Sequence, residues 1–180
     1  MEPHRIILIG GGVRSGKSTF AVDLARRLGE RRVFVATARP SDEEMKARIE
    51  RHQRDRQDAF ATVEEPLDLE RALAALGELD VVVVDCLTHW LSNLLVRGDR
   101  VETILERVDG VVRVLGERRH HSVLVTNEVG MSVHPPTPLG RAFVEVSGWA
   151  NQRFARAADE IHLAVLGTTF RIKPGQEVQP

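Results

Sequence analysis

Gly11-Gly12-Val13-Arg14-Ser15-Gly16-Lys17-Ser18 reads G-x-x-x-x-G-K-S, and the apolar run Ile6-Ile7-Leu8-Ile9 stands directly before it. The run predicts a buried strand, and Thr19 to Leu28 predicts a helix leaving the glycine turn. In that setting the N–H groups of the turn and of the helix start converge on one spot and favour an anion there. Lys17 adds a mobile positive charge for outer phosphates, and the Ser18 hydroxyl is the expected magnesium ligand. All eight residues are therefore candidate nucleotide contacts. The competing reading is a glycine turn that holds no ligand.

Outward from this stretch, apolar strands alternate with helical patterns. Strands are expected at Arg5–Ile9, Arg32–Thr37, Val81–Asp85, Ser122–Thr126 and Glu160–Leu166, with a short one near Phe170–Lys173. Their near-continuous Val/Ile/Leu character suits strands covered on both faces. Helices are expected near 17–29, 41–58, 67–77, 88–96, 100–118 and 139–158. Gly29 is a plausible helix stop, and Ser41-Asp42-Glu43-Glu44 reads as a capping box. The expected fold is one α/β domain of the P-loop NTPase type over residues 1–180, with a mainly parallel sheet and helices on both faces. Val133–Pro138, VHPPTP, is a proline-rich loop after a strand, where a substrate loop would sit. Residues 174–180 are expected to form a flexible tail.

The composition narrows the class. The chain has 180 residues, 25 basic and 26 acidic, with a formal charge of −1. Such a balance gives no global field for nucleic acid or an anionic membrane. No apolar run approaches membrane-spanning length, and the N-terminus lacks a signal-peptide pattern. Cys86 is the single cysteine, so no internal disulfide forms. A cytoplasmic protein using soluble nucleotide fits these facts.

Other candidate site residues are less local. Asp85 ends the run Val81–Val84, where phosphate-loop proteins place a second magnesium-associated carboxylate; the alternative is a cap for the next helix. Thr126-Asn127-Glu128 ends another strand, and ligands of open α/β sheets bind beyond strand carboxyl ends. Turn chemistry is the alternative there. His52 shares a helical face with Met45 and Ile49, which alone favours a packed histidine. Arg48, Arg51, Arg54 and Arg56 surround it, however, and a polyphosphate needs such cations. They also disfavour imidazolium and so preserve the nucleophilic neutral ring. His120 and His121 read as a solvated turn. His4, His89, His134 and His162 show no metal-ligand spacing. Trp90 and Trp149 read as core or interface.

Taken in order, the motifs form a set: GGVRSGKS (11–18), VATA (35–38), DEEMKARIERH (42–52), TVEEP (62–66), VDCLTHWL (84–91) with Asn93, VTNEVGM (125–131), Arg141, and GWANQ (148–152) before Ala157-Ala158-Asp159. This set resembles the bifunctional adenosylcobinamide kinase/adenosylcobinamide-phosphate guanylyltransferases of cobalamin biosynthesis, from about Arg5 to Lys173. The resemblance implies two reactions. A hydroxyl of adenosylcobinamide is phosphorylated by ATP or GTP, and the product then receives GMP from GTP through a GMP–histidine intermediate. It implies that His52, in R-I-E-R-H, carries the GMP. It places nucleotide contacts at the phosphate loop, at Ala36, Thr37 and Ala38, at Gln53, Arg54, Asp55 and Arg56, and at Glu64 and Asp85. Catalytic roles fall to His52 and Lys17, and magnesium to Ser18 and Asp85. It also implies a homo-oligomer. His89 and Ser132-Val133-His134-Pro135-Pro136 depart from the family's usual residues. A plain small-molecule kinase with a structural His52, and a nucleotide-dependent switch, are the rival readings.

Overall fold

The computed structural model describes residues 3–39, 59–131 and 133–175. Seven strands form one sheet in the order β3-β2-β4-β5-β1-β6-β7. They are β1 (Ile6–Gly11), β2 (Arg32–Ala36), β3 (Ala61–Glu64), β4 (Val81–Asp85), β5 (His121–Val125), β6 (Glu160–Val165) and β7 (Thr168–Lys173). All neighbours pair in parallel except β6 with β7, an antiparallel hairpin at one edge. The described helices are α1 (Lys17–Leu28), α2 (Leu69–Ala74), α3 (Leu87–Arg97), α4 (Val101–Gly116) and α5 (Pro138–Ala157).

The period-2 geometry of a strand explains why its core residues run without interruption. Along β1, Ile6 and Leu8 join the cluster beneath α2 to α5, while Ile7 and Ile9 join the cluster beneath α1. Along β4, Val82 and Val84 face the first cluster and Val81 and Val83 the second. A central parallel strand has two apolar faces to satisfy, so both phases of the alternation are hydrophobic. Each of these valines is wholly buried, worth roughly 1.5–3 kcal/mol apiece relative to exposure.

Two sequence expectations are corrected by the tertiary arrangement. The strands expected from sequence do not include Ala61-Thr62-Val63-Glu64, yet it pairs in parallel with β2 as the outermost strand. An edge strand half open to water needs no apolar run, so its sequence carries no strand signal. His120 is buried, at 7% exposure, and His121 opens β5 rather than lying in a solvated turn. β5 is a central strand, so its first residues lie between β1 and β4 whatever their polarity. The His121 ring accepts the Arg5 N–H at 3.1 Å. The expected helix over 41–58 lies outside the described residues, as do 176–180 of the expected tail.

Candidate functional site: the phosphate loop and the strand tips around it

The loop between β1 and α1 has the backbone that its glycines predict. Gly11 takes φ 148° and Gly16 takes φ 93°, both in territory that side chains avoid. A Cβ on Gly11 would stand 2.3 Å from the Ala164 carbonyl oxygen of β6, so no other residue fits there. Arg14 also takes positive φ, 56°. Gly12, Val13 and Arg14 are exposed, while Ser15 and Lys17 are buried. The Lys17 ammonium donates to the Gly12 carbonyl and, at 3.3 Å, to the Ser15 hydroxyl. Its charge is thereby folded into the ring of the loop, where the amides of a helix start also converge. Ser18 follows as the second residue of α1.

Strand register brings distant candidates to this edge. Glu64 pairs with Ala36, Ala36 with Asp85, Asp85 with Val125, and Val125 with Ile9. Glu64, Ala36 and Asp85 therefore stand level at the carboxyl ends of three adjacent strands, of which β4, bearing Asp85, is nearest the phosphate loop's own strand, with β5 alone between them. Thr37 is buried just beyond β2. Its hydroxyl donates to the Cys86 carbonyl at 2.7 Å and accepts the Cys86 N–H at 2.9 Å. Ala38 follows, half-buried. The Asn93 amide of α3 donates to the Thr37 carbonyl at 2.8 Å and to that of Pro66 at 3.0 Å. Asn93 thus ties the β2 tip to the β3–α2 connection, a role its helical position alone does not reveal.

Asp85 is not a helix cap. Cys86 occupies the N-cap of α3, and no side chain caps that end. Neither the Asp85 carboxylate nor the Ser18 hydroxyl has a hydrogen-bond or ion-pair partner among the described residues. Both are hard oxygens, a donor set that suits magnesium, which takes one or two protein oxygens and completes its shell with phosphate and water. Cys86, next to Asp85 in the chain, is buried and inert. Burial, reinforced by the Asp85 charge, pushes its thiol up to about 12.

The tip of β5 is the best-knit part of the site. Asn127 N–H donates to the Thr88 hydroxyl at 2.7 Å, and the Thr126 hydroxyl donates to the Asn151 carbonyl oxygen at 2.8 Å. Glu128 N–H donates to the Gly11 carbonyl, and the Glu128 carboxylate accepts the Gly130 N–H. Thr88 and Asn151 stand in the motifs VDCLTHWL and GWANQ, but only their meeting in space shows a purpose. Past β5, Arg141 donates to the Pro135 and Pro136 carbonyls at 3.2 and 3.0 Å, pinning the proline-rich loop to α5. Trp90 is core, its indole N–H on the Leu67 carbonyl, whereas Trp149 is partly exposed. His52, Gln53, Arg54, Asp55 and Arg56 lie outside the described residues. No helix among the described residues is long and apolar enough to cross a membrane.

A strand–glycine loop–helix at the carboxyl end of an interior strand of a mainly parallel sheet, with an acidic residue on a nearby strand tip, defines a P-loop NTPase-type α/β protein. Solved structures agree on the fold. The RadB recombinase superposes with a TM-score of 0.54 at 16% identity, over 89% of this chain and 74% of that one. The flagellar accessory protein FlaH from Methanocaldococcus jannaschii gives 0.53 at 14% identity, over 94% and 76%. The family is narrower than the fold. The model of the cobinamide kinase / cobinamide phosphate guanyltransferase family matches residues 7–172, and the chain belongs to that enzyme family. It is 38% identical to the bifunctional adenosylcobalamin biosynthesis protein CobP of Pseudomonas aeruginosa, over 92% of this chain and 96% of the relative. It is 34% identical to CobU of Escherichia coli, similarly described, over 93% and 99%.

Proposed function

We propose that the chain phosphorylates the hydroxyl of adenosylcobinamide with ATP or GTP, then transfers GMP from GTP to that phosphate, giving adenosylcobinamide-GDP. The observation that carries this reading is the phosphate loop with Lys17 folded into it, at the carboxyl end of the sheet where Asp85, Ala36 and Glu64 align in register, in a chain of this family. In the first step the acceptor hydroxyl gives up its proton to water, its oxygen bonds to the γ-phosphorus, the bond to the bridging oxygen breaks, and the nucleoside diphosphate leaves. Loop amides and Lys17 supply positioning and charge neutralisation, which is most of what phosphoryl transfer asks of a protein. Ser18 and Asp85 would hold a magnesium ion, which neutralises phosphate charge when bound.

The second step needs a nucleophile at the α-phosphorus, and His52 takes that role. Its neutral imidazole bonds to phosphorus as pyrophosphate leaves; the acceptor's phosphate oxygen then displaces the imidazole. Splitting the transfer lets pyrophosphate depart before the bulky acceptor attacks. We also read the chain as cytoplasmic and as a homo-oligomer; exposed apolar side chains such as Val133 and Leu166 support the assembly. Sedimentation of the purified protein tests the assembly.

Incubation with α-labelled GTP and peptide mapping tests the enzymatic reading. One label is expected, on the peptide holding His52, labile in acid and more stable in base. His52→Ala should lose the label and GMP transfer while still phosphorylating adenosylcobinamide. Labelling of His52→Ala at wild-type stoichiometry would overturn the histidine's role. Kinase activity with no label in the wild type would leave a small-molecule kinase.

A further inference from the structure

The hydrogen bonds around Asn127 close into a circuit. Its N–H donates to the Thr88 hydroxyl at 2.7 Å. The Thr88 and Thr126 hydroxyls lie 3.3 Å apart, and Thr126 donates onward to the Asn151 carbonyl oxygen at 2.8 Å. The Asn151 amide returns a bond to the Asn127 carbonyl at 3.4 Å. A hydroxyl carries one proton. Because Thr126 spends its proton on Asn151, the proton between the two threonines belongs to Thr88, and every donor points the same way round. Both threonines are buried, at 5% and 3% exposure.

The circuit takes both main-chain groups of Asn127 and leaves its side chain out. The β4–β5 ladder ends at Asp85 and Val125, so Asn127, past the end of β5, finds no strand partner on the β4 side. Helices α3 and α5 supply what the ladder no longer does. The next residue, Glu128, is fixed by its N–H to the Gly11 carbonyl at the start of the phosphate loop. The Asn127 carboxamide has no hydrogen-bond partner among the described residues. It lies just past the carboxyl end of β5, the strand between β1, which leads into the phosphate loop, and β4, which ends at Asp85.

We propose that the Asn127 carboxamide donates to an oxygen of the phosphoryl group being transferred, and that Thr88, Thr126 and Asn151 are positioning residues that hold it there. This rests on the reading that the loop binds a nucleoside triphosphate. A neutral donor held rigidly at developing charge lowers a barrier because it needs no reorganisation during the reaction. Its backbone must then be fixed more tightly than a free loop allows, which is what the circuit does.

The test measures the kinase half-reaction with ATP and adenosylcobinamide. Asn127→Ala leaves the circuit's main-chain bonds in place; it should lower kcat at least tenfold with KM for ATP within about twofold. Asn127→Asp, which exchanges the donor for a negative charge, should lower kcat further. Thr88→Val should reproduce the kcat loss and Thr88→Ser should restore it. Asn151→Asp keeps the acceptor for Thr126 but loses the donor to Asn127, so it tests the same point if Thr88→Val does not fold. Lys17→Ala runs in parallel. If Lys17→Ala keeps wild-type rate and ATP affinity, the nucleotide reading itself fails. If Lys17→Ala is inactive while Asn127→Ala and Asn127→Asp keep wild-type kcat, the proposal alone is overturned. A wild-type kcat in both Thr88→Val and Asn151→Asp overturns the positioning role.

Discussion

Glu128 N–H donates to the Gly11 carbonyl at 3.0 Å. This continues the β1–β5 ladder past the end of β5, after the bond from Thr126 N–H to the Ile9 carbonyl at 2.9 Å. The first residue of the phosphate loop is thereby fixed from β5 on one side, and from β6, where Ala164 pairs with Gly11, on the other. The loop is a rigid cradle because its entry belongs to the sheet.

Gly11→Ala should be destructive for that reason. The added methyl meets the Ala164 oxygen at a backbone angle that alanine resists. Overpacking and strain together should cost about 2–4 kcal/mol. Urea denaturation should show the loss, and both half-reactions should fall with it.

Lys17→Ala should cost each half-reaction about 3–4 kcal/mol of transition-state stabilisation, roughly 100- to 1,000-fold in rate. One loop is asked to serve both steps, so both should fall. Full activity in either, measured with ATP or GTP at saturation, would reveal a second nucleotide site.

Asp85→Asn should leave folding within about 0.5 kcal/mol, since the carboxylate has no ion pair or hydrogen bond among the described residues to lose. Turnover should instead need more magnesium. Thermal unfolding beside a magnesium titration of the kinase rate checks this. A large drop in Tm with unchanged magnesium dependence would contradict it.

Stability should depend on pH through His120. Burial, the largest cause, holds its imidazole below the ordinary 6.5, with smaller contributions from the charges of Arg119, His4 and His121. The unfolded chain therefore takes up a proton near pH 6.5 while the folded one does not. Its contribution is complete above that value and is lost as pH falls through the folded pKa. The urea midpoint should drop between pH 7 and pH 5, and His120→Gln should flatten that drop.

Much of the molecule is legible in the chain because its signals are local. Val81–Asp85 is a strand with the bounds expected of it, and Lys17 opens its helix as expected. The end of α1 is marked by Gly29, and Pro138 begins α5 behind a Thr137 cap. Each depends on a few adjacent residues whose backbone preferences agree. β3 was missed because an edge strand draws its hydrogen bonds from β2 rather than its stability from its own apolar content.

By itself the sequence determined the phosphate loop, the alternation of strands and helices, and the family. Loop conformation follows from where the glycines stand, and two-sided burial follows from unbroken Val/Ile runs. Tertiary structure decided that β5 lies between β1 and β4, which sets Thr126-Asn127-Glu128 between the loop and Asp85. It also decided that Thr88 and Asn151, 63 positions apart by number, meet around Asn127. Strand order is settled by how helices cover the two faces of the whole sheet, a global packing problem that no window of neighbouring residues contains.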